Sequence, residues 1–218
     1  MKRITFLLFA LFSLVQLHAQ VSSYTFSQSM GTYTEITSGT VLVSCNGCAE
    51  NHDGSSYVIS LPTPVPFNGY MVSSVVMRAD GSLIMGTTTT SSGGTAISGS
   101  TTGNGVIAPL AVDLRTSTMS GAIFEMRWAD MGASYVFQWK DAARWNQEAA
   151  ERLNFQASIN KTTGVITFVY GSMTVANSLT YIPQVGLRGT TSSDYNNRRL
   201  TTDFPDATPS WEDTGVGT

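Results

Sequence analysis

Residues 122–170 read AIFEMRWADMGASYVFQWKDAARWNQEAAERLNFQASINKTTGVITFVY. The apolar residues in this stretch recur at every second position. Ala122, Phe124, Met126 and Trp128 fall on one side, with Ile123, Glu125 and Arg127 on the other. Tyr135, Phe137 and Trp139 alternate with Val136, Gln138 and Lys140, and Leu153, Phe155, Ala157 and Ile159 with Asn154, Gln156 and Ser158. Ile166, Phe168 and Tyr170 continue the pattern. A period of two is the mark of a strand that presents one face to a core and the other to water or a second layer. Asp130-Met131-Gly132 and Asn160–Gly164 separate these runs with turn chemistry, Gly164 being free to take a positive φ. The stretch therefore predicts an antiparallel meander.

Working outward, Asp80-Gly81 divides Tyr70–Arg78 from Ser82–Met85 and predicts another hairpin. Earlier strands are expected at Thr32–Ile36, Thr40–Ser44 and Tyr57–Leu61. Pro62, Pro64 and Pro66 then interrupt regular pairing, because proline has no N–H to give a ladder. Residues 86–105, GTTTTSSGGTAISGSTTGNG, are low in complexity and read as a mobile surface loop. Asp141–Arg152, rich in Ala, Gln and Glu, favours a short helix between strands. Many short strands and one short helical insert predict an all-β, two-layer antiparallel sandwich, jelly-roll-like in outline.

The N-terminus bears on location. Lys2 and Arg3 precede an apolar run from Ile4 to Val15, and Ala19 supplies a small residue before a cut. This is the layout of a secretory signal peptide over residues 1–19, too short to span a bilayer, which takes about 20 apolar residues. Residues 20–218 then fit one sandwich domain, directed outside the cell or to its surface. Loss of Lys2 and Arg3 takes the formal charge from −3 to −5. The chain carries no basic patch of the kind nucleic acid requires. Charged residues make up 12%, about half the usual share, with Ser, Thr, Asn and Gly in their place.

Cys45 and Cys48 bracket Asn46-Gly47. In an exported chain this spacing reads first as a local disulfide that stiffens one loop. Free thiols, a redox pair and a metal site are the alternatives, although a zinc site needs four ligands and only His52 lies near.

Several strings resemble a known group. They are Gly31–Leu42 (GTYTEITSGTVL), Val136–Lys140 (VFQWK), Leu153–Gln156 (LNFQ), Thr163–Gly171 (TGVITFVYG), Val185–Gly189 (VGLRG) and Asp194–Arg198 (DYNNR), with Trp211 downstream. In this order they resemble the N-terminal β-sandwich domain of large exported surface proteins of Bacteroidota. Those proteins often continue into fibronectin type III modules and a C-terminal type IX secretion signal. The resemblance implies a non-catalytic surface or adhesion module, brings no catalytic residues, and leads us to expect downstream domains beyond residue 218. The Cys45–Cys48 insertion departs from the pattern.

The chemistry-bearing residues fit that picture. His52 is the one histidine after residue 19, sits in a polar loop, and is not joined by a G-x-S-x-G nucleophile elbow. A sandwich-fold glycoside hydrolase, or an accessory domain of a secreted hydrolase, is the alternative. It would use Glu125 with Asp130 or Asp141, although an ion pair of Glu125 with Arg127 or Lys140 is the plainer expectation. No cofactor is expected, with calcium as the one candidate: Asn51, Asp53 and Ser55 offer alternating oxygens in one loop, and Asp194, Asn196 and Asn197 in another. Trp128 and Trp139 belong to the core faces. Trp145, between Arg144 and Asn146, is the candidate contact for a glycan or a surface protein, unless it folds back over one end of the sandwich. Asn160-Lys161-Thr162 matches a glycosylation sequon but reads here as turn chemistry.

Overall fold

The computed structural model describes residues 20–46, 52–89, 96–97, 105–176, 183–200 and 209–215. Residues 1–19, read above as a secretory leader, and Cys48 and Asn51 of the candidate disulfide and calcium loop, lie outside these. Among the described residues, thirteen strands form two antiparallel sheets: β1 (Thr40–Asn46), β2 (Ser56–Phe67), β3 (Tyr70–Arg78), β4 (Ser82–Met85), β5 (Val106–Ala111), β6 (Leu114–Thr116), β7 (Ile123–Asp130), β8 (Ser134–Arg144), β9 (Leu153–Asn160), β10 (Ile166–Tyr170), β11 (Gln184–Arg188), β12 (Tyr195–Leu200) and β13 (Pro209–Gly215). One sheet runs β1-β7-β8-β9-β10, with β6 also paired to β8. The other runs β13-β12-β11-β5-β4-β3-β2. The expected two-layer sandwich is present, and β7 to β10 form the expected meander. The runs β2 to β5, β7 to β10 and β11 to β13 stay within one sheet, while β1–β2, β5–β6 and β10–β11 cross between the two layers.

The alternating faces close on one core. Phe124, Met126, Tyr135, Phe137, Trp139 and Phe155 from one sheet meet Ile59, Val65, Phe67, Met77, Leu83 and Ile107 from the other. Trp139 stacks on Phe155, ring centroids 5.0 Å apart. Aromatic polar tips need partners when buried, and here those partners tie the layers together. Trp139 Nε1 donates to the Arg78 carbonyl at 2.7 Å, and Tyr135 Oη accepts from Thr63 N–H at 2.8 Å. The Thr63 contact shows how the prolines are accommodated. They lie within β2 rather than ending it. That strand is at a sheet edge, and its register with β3 breaks between Ser60 and Val65. Asn160 Oδ1 accepts the Thr162 and Thr163 N–H groups, so the sequon asparagine does build the turn.

Three local expectations are corrected. Thr32–Ile36 is not a strand. It crosses the outer face of the β7–β9 sheet and is held by side-chain amides: Gln138 Oε1 accepts the Ile36 N–H at 2.8 Å, and Gln156 Nε2 donates to Thr34 O at 2.8 Å. Asp141–Arg152 is not a helix. β8 continues to Arg144 because β6 and β9 pair with it on either side, and only turns follow; the one helical turn among the described residues is Val21–Ser23. Within the low-complexity stretch, Ala96 and Ile97 are buried. They pack on Val106, Ala108 and Ala111 outside the larger sheet, with Ile97 N–H donating to Gln184 Oε1 at 2.8 Å. These two apolar residues dock on a sheet, which the composition of the stretch alone does not disclose.

Candidate functional site

One rim of the sandwich gathers charged side chains from four connections. Backbone hydrogen bonds stitch these connections together. Ala79 N–H donates to Ser55 O at 2.8 Å, Val112 N–H to Asp80 O at 3.2 Å, and Trp145 N–H to Asp113 O at 2.9 Å. The β1–β2 loop, the β3–β4 turn, the β5–β6 corner and the end of β8 are thereby brought side by side. The Asp80-Gly81 turn sits tightly here: Gly81 has φ +70°, and a Cβ on it would run into the Leu110 carbonyl.

The carboxylates of Asp53, Asp80 and Asp113 each place an oxygen within 4.8 Å of the others. Asp80 is 2% exposed. Its Oδ2 accepts from Arg78 Nη2 at 2.8 Å, while its Oδ1 has no hydrogen-bond partner, and neither has Asp113 Oδ1. Arg115 Nη2 reaches Asp53 Oδ2 at 3.1 Å, and Arg115 Nη1 lies 3.6 Å from Glu148. Four carboxylates thus face two guanidiniums. Burial pushes the Asp80 carboxyl above its ordinary value against the opposing pull of Arg78. Burial also raises Asp113, and the charges of Asp53 and Asp80 add to the effect. The physical cause is shared: carboxylates withdrawn from water and crowded together resist ionisation.

Trp145 belongs to the same rim. It is half-buried, and the Arg115 guanidinium lies over its ring in cation–π geometry. Trp145 and Asp53, separate candidates in the sequence, are therefore joined through one arginine. Asn146 beside them is exposed at φ +61°. Arg144 is not a surface contact. It is fully buried in an ion pair with Glu151, its Nε 2.9 Å from Glu151 Oε1.

In the second candidate calcium loop, Asp194 and Asn196 are buried and bind residues 21–24: Asn196 Nδ2 donates to Tyr24 O at 2.8 Å and to Val21 O at 3.1 Å, and Asp194 Oδ1 accepts the Ser22 N–H at 3.2 Å. Cys45 is buried in the core opposite Phe124. His52 is half-buried and stacks on Phe124, centroids 5.8 Å apart, rather than standing in solvent. The three acids of the hydrolase alternative are all engaged. Glu125 forms a two-toothed pair with Arg127, Asp130 pairs with Lys161, and Asp141 accepts the Ile123 N–H while pairing with Arg152.

Asp80, Asp113, Arg78, Arg115 and Glu148 were not singled out by the sequence as site residues. Asp80 reads as ordinary turn chemistry, and nothing local marks the others. The family model for NIDO-related domains matches residues 23–216. The chain belongs to the NIDO-related family. That match covers the whole sandwich, and NIDO-related domains are typically extracellular. The searches of curated proteins and of solved structures returned no match. Among the described residues of this NIDO-related domain, no helix is long and apolar enough to cross a membrane.

Proposed function

We propose that this NIDO-related domain is a non-catalytic extracellular binding module that engages a glycan through the rim carrying Trp145. The observation that carries this reading is the Trp145–Arg115–Asp53 array, an aromatic ring beside ordered hydrogen-bond donors and acceptors. The apolar C–H face of a sugar stacks on such a ring while its hydroxyls bond to adjacent polar groups. Few convergent polar groups beside an aromatic are what ligand sites use to fix orientation. The engagement of Glu125, Asp130 and Asp141 in ion pairs supports the non-catalytic side. The sequence resemblance supports a finer placement as the first module of a longer surface protein of Bacteroidota exported by type IX secretion. In that setting the secretory leader would be removed after Ala19 and Cys45 would bridge to Cys48.

Affinity electrophoresis of the purified domain through gels containing single polysaccharides tests the binding claim. Retardation by at least one polysaccharide, abolished in Trp145→Ala, is expected. Retardation that survives Trp145→Ala, or none across a broad panel, overturns it.

A further inference from the structure

We propose that Asp53, Asp80 and Asp113 hold a hard divalent cation, Ca²⁺ by preference, which pins together the β1–β2 loop, the β3–β4 turn and the β5–β6 corner. Two independent observations carry this. First, one oxygen from each carboxylate lies within 4.8 Å of the others. Oxygens that ligate one Ca²⁺ ion lie at most about 5 Å apart, so all three carboxylates can reach a single ion. Three carboxylates also exceed the one or two that Mg²⁺ usually takes, which favours Ca²⁺. Second, Asp80 is almost wholly buried, yet its Oδ1 has no hydrogen-bond partner. Buried carboxylate oxygens are nearly always satisfied, and one that is not calls for an explanation such as an ion. Asp113 Oδ1 repeats the anomaly beside it.

The surrounding arginines do not remove the need. Arg78 takes only Oδ2 of Asp80, and Arg115 is turned to Asp53 and Glu148. With four carboxylates against two guanidiniums, a divalent ion brings the cluster to neutrality. The donors are all oxygen, which suits a hard cation and not a thiolate- or imidazole-seeking metal. Solvent has access through Asp53, the exposed member, so water can complete the coordination. The site differs from either loop the sequence suggested. Of those residues it keeps only Asp53, and it draws Asp80 and Asp113 from elsewhere in the chain. It is independent of the glycan reading, since a cation here stabilises the rim whether or not Trp145 meets a sugar.

The test uses the full chain stripped of metal with EDTA and dialysed. Thermal unfolding is followed with and without CaCl₂, with MgCl₂ and NaCl as controls at matched ionic strength. Extracellular oxygen sites commonly bind Ca²⁺ at about 0.1–1 mM. Saturable binding of that strength raises Tm by about 3–10 °C in about 10 mM Ca²⁺ for a chain of this size. Tb³⁺ is a second probe: excitation of Trp145, coupled to Asp53 through Arg115, should sensitise its emission, and Ca²⁺ should quench that emission by competition. Asp113→Asn is the main variant, because its carboxylate makes no hydrogen bond that the fold depends on. It should keep a native circular-dichroism spectrum and lose both responses. Should it fail to fold, Asp53→Asn takes its place, with Asp130→Asn as the control that keeps them. The proposal is overturned if the unmodified chain shows neither a Ca²⁺-dependent Tm nor sensitised emission. It is equally overturned if the cluster variant responds as the parent does.

Discussion

Glu151→Ala should be among the most damaging single substitutions in this domain. Arg144 and Glu151 are both fully buried. Glu151 Oε1 accepts from Arg144 Nε at 2.9 Å and from Ala176 N–H at 3.1 Å, and its Oε2 accepts the Arg144 N–H at 3.0 Å. Arg144 Nη2 in turn donates to Ala176 O at 2.9 Å. One carboxylate thus serves a charge and two backbone donors, and joins the end of β8 to the segment after β10. Removing it takes from a buried guanidinium the carboxylate paired with it, which costs about 3–5 kcal/mol. With a urea slope of about 2 kcal/mol/M for a chain of this length, the unfolding midpoint should fall by about 2 M. The double variant Arg144→Met/Glu151→Leu should regain about half of the loss. It removes the buried charge, since apolar replacement of a buried pair is often neutral, but leaves the Arg144 and Ala176 N–H groups without their acceptor. Urea unfolding followed by tryptophan fluorescence reads both. A Glu151→Ala loss under about 1 kcal/mol, or a double variant no more stable than the single one, would refute the reasoning.

Other outcomes follow from other elements. Gln138→Ala should release residues 33–38, raising amide exchange at Ile36 and lowering stability by about 2–3 kcal/mol, as expected when buried backbone groups lose their partners; unchanged Ile36 protection would count against the amide clamp. Gly81→Ala, with its Cβ against the Leu110 carbonyl, should cost several times more in urea unfolding than Gly132→Ala, which has a similar φ and open space; equal costs would contradict the packing described. Burial, with the charge of Glu35 adding to it, raises the Tyr33 hydroxyl to about 12. A raised folded-state value means its stabilisation is complete below the ordinary tyrosine value near 10 and is lost as pH climbs from there to about 12. Tyr33→Phe should therefore flatten part of the decline in urea midpoint between pH 9 and pH 11, and a parallel decline in the variant would exclude Tyr33 as a contributor.

The hairpins were legible because their signals are local. Asp80-Gly81 with Gly81 at φ +70°, and Gly164 at φ +69°, do what such turns do anywhere in a chain. Core membership was legible for the same reason: Phe124, Met126, Phe137, Trp139, Phe155 and Ile159 sit where alternation placed them. The misread segments lack local determinants. Thr32–Ile36 reads as a strand, yet its partners are the amides of Gln138 and Gln156, more than a hundred residues away. Ala142–Arg144 has helix-favouring composition but is held between β6 and β9, and pairing on both sides outweighs propensity differences of under a kcal/mol.

By itself, the sequence determined that this chain is a β-sandwich with a given inside and outside, since a side chain's face follows from its parity along a strand. Tertiary structure decided which charges are buried and which meet. Asp53, Asp80, Asp113 and Trp145 lie in connections, and Arg115 in the short strand β6, whose juxtaposition depends on the order of strands in both sheets and on how one layer sits over the other. Neither is written in any short stretch of residues, because a carboxylate's partner, and the water it loses in meeting that partner, are set by packing across the whole domain.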